Sequence, residues 1–188
     1  MRSELGRAVR RAVLTGAMVA TGAATVVAQG PSREEVLAAV FPGASIRAEQ
    51  VFLTAEQVAR AAALAGVEIP SALVARYLAE TEGRSVGRAY VDTHVVRTKR
   101  ESLLVSLDAA GLVRRVDVLA FLEPPEYKAP ASWLHQFSGH TLDDELRVQR
   151  AIRPLAGATL SARSATEATR RVLAIDRVLN EGSAGAMR

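Results

Sequence analysis

The residues with the most chemical potential stand at Pro154-Leu155-Ala156-Gly157-Ala158-Thr159-Leu160-Ser161, just ahead of an amphipathic stretch. Small side chains here let a backbone come close to a ligand, and a helix start offers unpaired amides and the positive end of a dipole. An anion, and a phosphate above all, suits such a place. Thr159 and Ser161 add hydroxyls, and Arg153 or Arg163 could neutralise charge. On these residues alone a plainer reading stands beside the first: Gly157 makes a turn, and a hydroxyl caps the helix.

Other constellations are weaker. His140 with Asp143-Asp144-Glu145 offers nitrogen and oxygen ligands to a metal, but adjacent acids at a helix start more often answer the helix dipole. Glu123 and Glu126 lie in a proline-rich turn with little burial to raise a carboxyl pKa, so they read as loop-shaping. Tyr127, Trp133 and Phe137 carry flat apolar faces that either stack on a ring or pack in the core. No nucleophile, base and orienting group stand at a readable spacing, which argues against hydrolase chemistry. The chain has no cysteine and only three histidines, His94, His135 and His140. That excludes cysteine-held iron–sulfur clusters and thioether-linked haem, and argues against a multi-histidine copper or zinc site. Redox chemistry would need an organic cofactor.

The elements that must position these groups are legible in part. Ser32-Arg33-Glu34-Glu35 and Thr54-Ala55-Glu56-Gln57 are capping boxes, each opening a helix; the first stops at Pro42-Gly43 and the second at Gly66. Leu53 and Val58 are spaced to staple the second. From Ala72 the pattern turns to strands, with Glu82-Gly83 as the first turn, Val86 to Val96 as the return, and a second hairpin from Ser102 to Phe121 around Asp108-Ala109-Ala110-Gly111. Ala165, Ala168, Val172, Ile175 and Leu179 then fall at helical spacing. Aromatics are only 4% of the residues, so the interior must be built from Val, Leu, Ile and Ala. The expected fold class is α+β: an antiparallel sheet of two hairpins with a C-terminal amphipathic helix and small N-terminal helices.

Residues 1–28 read differently. Arg2, Arg7, Arg10 and Arg11 precede an uncharged run from Ala12 to Ala28 with a small-residue end, the pattern of an export signal cleaved near Gln29. Arg10-Arg11 also fits the twin-arginine route. Removing the leader's four arginines and one acid leaves the rest nearly neutral, so no nucleic-acid partner is implied. The Arg97, Lys99 and Arg100 cluster reads as a solvated loop. The chain thus divides into an export signal (1–28), an N-terminal helical segment (29–71), a principal domain (72–180) and a flexible tail (181–188).

Gly157-Ala158-Thr159-Leu160-Ser161 opening a helix resembles the phosphate motif of the FMN-binding domain family, which includes flavin-carrying small subunits of the Rnf and sodium-pumping NADH:quinone reductase complexes. The ordered set of two hairpins, Glu123-Pro124-Pro125-Glu126-Tyr127 and Trp133 to Gly139 extends the resemblance over residues 72 to 178. It implies FMN held by Gly157, Ala158, Thr159, Leu160 and Ser161, with Glu123, Tyr127 and Trp133 nearby, covalently at Thr159 or reversibly. It also implies an electron carrier rather than a stand-alone oxidoreductase, at the periplasm or the outer face of the cytoplasmic membrane. Membrane or periplasmic redox proteins, and a flavin transferase, would be its partners. Ala156 replaces the small hydroxyl residue usual in the motif, and Arg150 to Leu155 contains no acid where one is usual. These departures leave open a non-redox binding or maturation module of the same fold.

Overall fold

The computed structural model describes residues 31–185; the export signal expected at 1–28 lies outside them. Helix α1 (Arg33–Val40) and helix α2 (Ala55–Ala65) each begin with a complete capping box, at Ser32/Glu35 and Thr54/Gln57. Gly66, in the left-handed region, ends α2. Five strands follow the chain order in one antiparallel sheet: β1 (Ser45–Phe52), β2 (Leu73–Thr81), β3 (Arg84–Val95), β4 (Arg100–Asp108) and β5 (Val113–Phe121). After β5 come a 3₁₀ turn (Pro125–Tyr127), the short helix α3 (Ala131–Leu134) and a second 3₁₀ turn (His135–Phe137). Helix α4 (Thr159–Gly185) closes the fold, running past Glu181, where the sequence places the start of the tail.

The α+β class is as the sequence reads, with one addition. Strand β1 lies inside the segment read as purely helical. It pairs along its whole length with β2, from Ser45 opposite Glu80 to Phe52 opposite Leu73. Its pattern is hard to read because Arg47 and Glu49 interrupt it, and because Ile46 packs on one side of the sheet and Val51 on the other. Charged side chains suit a strand with a free outer edge.

The sheet is covered on both faces. Helices α2 and α4 pack on one, where Leu103, Val105 and Leu107 of β4 meet Ala162, Ala165, Ala168 and Val172. Helix α1 packs on the other, where Leu104 meets Val36, Leu37 and Phe41. Burial on both sides explains why β4 is nearly continuously apolar instead of alternating. Alanines on the inner face of α4 let the helix lie close to the sheet. Gly87 permits a second close approach: a Cβ there would stand 2.4 Å from the Leu107 carbonyl and 2.5 Å from the Phe41 ring.

Candidate functional site

The first turn of α4 is built differently from those of α1 and α2. Ala162 N–H donates to the Ala158 carbonyl at 3.0 Å, so the amides of Thr159, Leu160 and Ser161 precede the first bond of the helix. Where α1 and α2 satisfy such groups with a hydroxyl and a carboxylate or amide, no side-chain acceptor meets these amides among the described residues. Gly157 turns the chain into the helix at φ 75°, a conformation that favours glycine, and its Cβ position faces open space. The turn therefore borders a gap.

That gap is a cavity of about 280 Å³ lined by Val96, Arg97, Glu123, Tyr127 and Gly157 through Ser161. Seven of the eight residues singled out from the sequence come together there: Gly157, Ala158, Thr159, Leu160, Ser161, Glu123 and Tyr127. Ser161 does so with its hydroxyl already engaged, donating to the Tyr127 carbonyl at 2.6 Å and fixing the 3₁₀ turn to the helix. Tyr127 stays 39% exposed. Glu123 ties down the opposite wall. One of its carboxylate oxygens accepts from the amides of Thr98 (2.6 Å), Lys99 (2.7 Å) and Arg97 (3.2 Å). These amide bonds hold its pKa below the usual carboxylate range, those from Thr98 and Lys99 most strongly.

Trp133 is placed elsewhere. It is 8% exposed, lies edge-on to Phe137 with 5.6 Å between ring centres, and donates its indole N–H to the Arg153 carbonyl at 2.9 Å. Its face is a core face. Arg153 and Arg163, read as charge partners for a phosphate, do not line this cavity; Arg97, read as part of a solvated loop, does. What places Arg97 there is the Glu123 carboxylate gathering the loop after β3, a contact across 26 residues that local spacing does not reveal.

Asp143, among the remaining acids, has structural work. One Asp143 carboxylate oxygen accepts from the Glu145 and Leu146 amides, and His140 takes part in the backbone bonding that secures the start of β5. Among the described residues no group of three metal-ligating side chains is placed to hold an ion. Glu126 is exposed.

A second polar constellation, absent from the sequence reading, runs under the middle of α4. Asp176 accepts from the Arg88 guanidinium and, at 2.7 Å, from the Tyr90 hydroxyl. Asp92 accepts from both Nε and Nη2 of Arg171 at 2.8 and 2.9 Å, and also meets His94 Nδ1 at 2.8 Å, while His94 Nε2 meets Glu101 at 3.1 Å. Burial alone would lower the His94 pKa, but its bonds to Asp92 and Glu101 outweigh it and push it up to about 9. Burial likewise opposes ionisation of Asp92, yet Arg171 and His94 pull it down to about 2. Glu101 is 1% exposed, and its second carboxylate oxygen has no hydrogen-bond partner.

No protein-family model matches the chain, and no curated protein matches it closely enough to count as a relative. No helix among the described residues is long and apolar enough to cross a membrane.

Proposed function

We propose that the protein is an exported FMN-binding electron carrier that seats the flavin phosphate at the Gly157-Ala158-Thr159 turn. One observation carries the reading: a turn resembling the phosphate motif of FMN-binding domains forms the uncapped start of α4 and borders a cavity with Tyr127 and Arg97 on its walls. The residues fit the group. The amides of Thr159, Leu160 and Ser161 would bind phosphate oxygens, with the helix dipole favouring negative charge. Arg97 would supply the counter-charge, and Glu123 would keep its loop in position. The bond from Ser161 to the Tyr127 carbonyl fixes the aromatic wall relative to the helix. Thr159 offers a hydroxyl that, unlike that of Ser161, donates to no carbonyl among the described residues, as a hydrogen-bond partner of the phosphate or as its ester oxygen.

When bound, FMN would supply the electron transfer, and the chain supplies binding and surroundings. The leader at 1–28 would direct the protein to the periplasm or the outer face of the cytoplasmic membrane. Membrane or periplasmic redox proteins would exchange electrons with it, and a flavin transferase would act where the linkage is covalent. Ala156 and the acid-free run before it favour a second reading, a binding or maturation module of the same fold without covalent flavin.

Colour separates the two. Protein made in a host with flavin and a transferase should be yellow and bleach with dithionite. A fluorescent band on a denaturing gel identifies the ester, and a band that loses its flavin identifies reversible binding. Protein that stays colourless and takes up no added FMN would overturn the electron-carrier reading.

A further inference from the structure

On the other side of the first turns of α4 lies a second cavity, of about 340 Å³, bordered by three arginines: Arg147, Arg163 and Arg170. Arg170 is the unusual one. Only 2% exposed, it has no carboxylate partner among the described residues. Its Nε donates to the Ala65 carbonyl at 2.7 Å, and Nη1 to the carbonyls of Asp143 and Leu146 at 2.5 and 3.3 Å. These bonds tie α2 to α4 but leave the Nη2 edge without a protein acceptor, within 4.0 Å of the point where a Gly66 side chain would begin. Arg147 Nη2 comes within 3.3 Å of the same point. Two guanidinium groups therefore converge over a bare glycine.

Their charges are poorly matched by acids. Burial lowers the Arg170 pKa first, and repulsion from Arg147 lowers it further, against partial relief from Asp144 and Asp143. Arg147 reaches Asp144 only at 3.9 Å, and the Asp144 side chain is largely in solvent. Arg163 makes no ion pair among the described residues, and Glu167 is the only acid lining the cavity. A buried cation bonded only to carbonyls, facing a second cation across a gap, is stabilised by any anion that enters between them.

We propose that this cavity is an oxyanion site for a phosphate-bearing small molecule, gripped by Arg147, Arg163 and the Nη2 edge of Arg170. A tetrahedral dianion suits donors converging from separate elements better than a planar carboxylate does. The inference does not rest on the flavin reading, because none of the three arginines lines the other cavity. Thr159 borders both, so the phosphate bound here is either that of a separate metabolite or that of a flavin whose phosphate reaches across.

The test is calorimetric titration of the full chain, freed of bound flavin, with inorganic phosphate and pyrophosphate. Arg163→Ala and Arg147→Ala are the informative variants, because both side chains are accessible, whereas Arg170 also holds two helices together. Saturable binding that weakens about tenfold or more in each variant is expected, the loss of one charge-assisted hydrogen bond. Repeating the titration with FMN and with riboflavin present identifies the source. Displacement by FMN but not riboflavin assigns the anion to the flavin phosphate, and binding that persists with both assigns it to a separate compound. No saturable binding up to about 10 mM, or equal affinity in both variants and the parent, overturns the proposal.

Discussion

The middle of α4 meets the sheet through matched charges, Arg171 on Asp92 and Asp176 on Arg88 and Tyr90, buried and geometrically closed. Its N-terminal half borders two cavities: the amides of Thr159 to Ser161 lie at one, and Arg163 and the Nη2 edge of Arg170, with Arg147 from the preceding loop, line the other. The same helix is thus closed by matched charges at one place and bordered by open donors at another. Matched groups contribute stability but have no capacity left for a ligand. Open donors add little to stability and keep that capacity.

The sharpest way to break this contrast is Asp176→Ala. It would leave Arg88 without its carboxylate and Tyr90 without its acceptor, in a site where the carboxylate is almost fully enclosed. Removing one partner of a buried pair typically costs about 3–5 kcal/mol, and urea unfolding should read a loss of that size. A loss under about 1 kcal/mol would mean that packing, and not the charge pairing, anchors the helix.

The pH dependence of stability probes the same seam. Because the folded pKa of His94 lies above its ordinary value of 6.5, at about 9, its contribution is fully present below about pH 6.5 and is lost as pH rises through 9. Unfolding free energies measured from pH 6 to 10 should fall by up to about 3 kcal/mol from this group. His94→Gln should flatten that slope. Asp92 acts at the other end: its contribution is present above about pH 4 and disappears as pH falls toward 2.

The smallest effects separate two neighbouring hydroxyls. Ser161→Ala removes the bond to the Tyr127 carbonyl and should cost about 1 kcal/mol of stability, read by denaturation. Thr159→Ala, at a hydroxyl with no protein partner among the described residues, should leave stability nearly unchanged. It should abolish any ester-linked flavin and weaken reversible FMN binding by about 1–3 kcal/mol, read by fluorescence titration. Equal effects of the two substitutions on both assays would erase the distinction between matched and open groups.

What could be read from the sequence follows the range of the interactions. The capping boxes at Ser32 and Thr54, the turn at Asp108 to Gly111 and the alanine-rich face of α4 are local, and their residue types state their geometry. Strand β1 is only half local: Arg47 and Glu49 make sense beside Arg76, which lies on the next strand. The seam is wholly non-local. Arg88 and Asp176 stand 88 residues apart, and nothing in either neighbourhood announces the other. Within the candidate site the same rule holds. Gly157 to Ser161 form one segment with its own signature, whereas Arg97 reaches the cavity only through Glu123. Trp133 shows a further limit, because a large aromatic residue has the same identity whether its face meets a ligand or Phe137.

Each strand of the sheet pairs with its neighbour in sequence, and this ordering bears on the time course of folding. Closing a short turn loses little chain entropy, so the hairpins can form early and independently. Docking α4 must instead join Arg88 to Asp176 and Asp92 to Arg171 across long stretches of chain, which makes it the late step. Substitutions in the seam should then accelerate unfolding and leave the folding rate almost untouched, giving φ-values near zero at Asp176 and higher ones in the hairpin around Asp108. The seam acts as a latch: it has little influence on how quickly the protein folds and a large one on how long it stays folded.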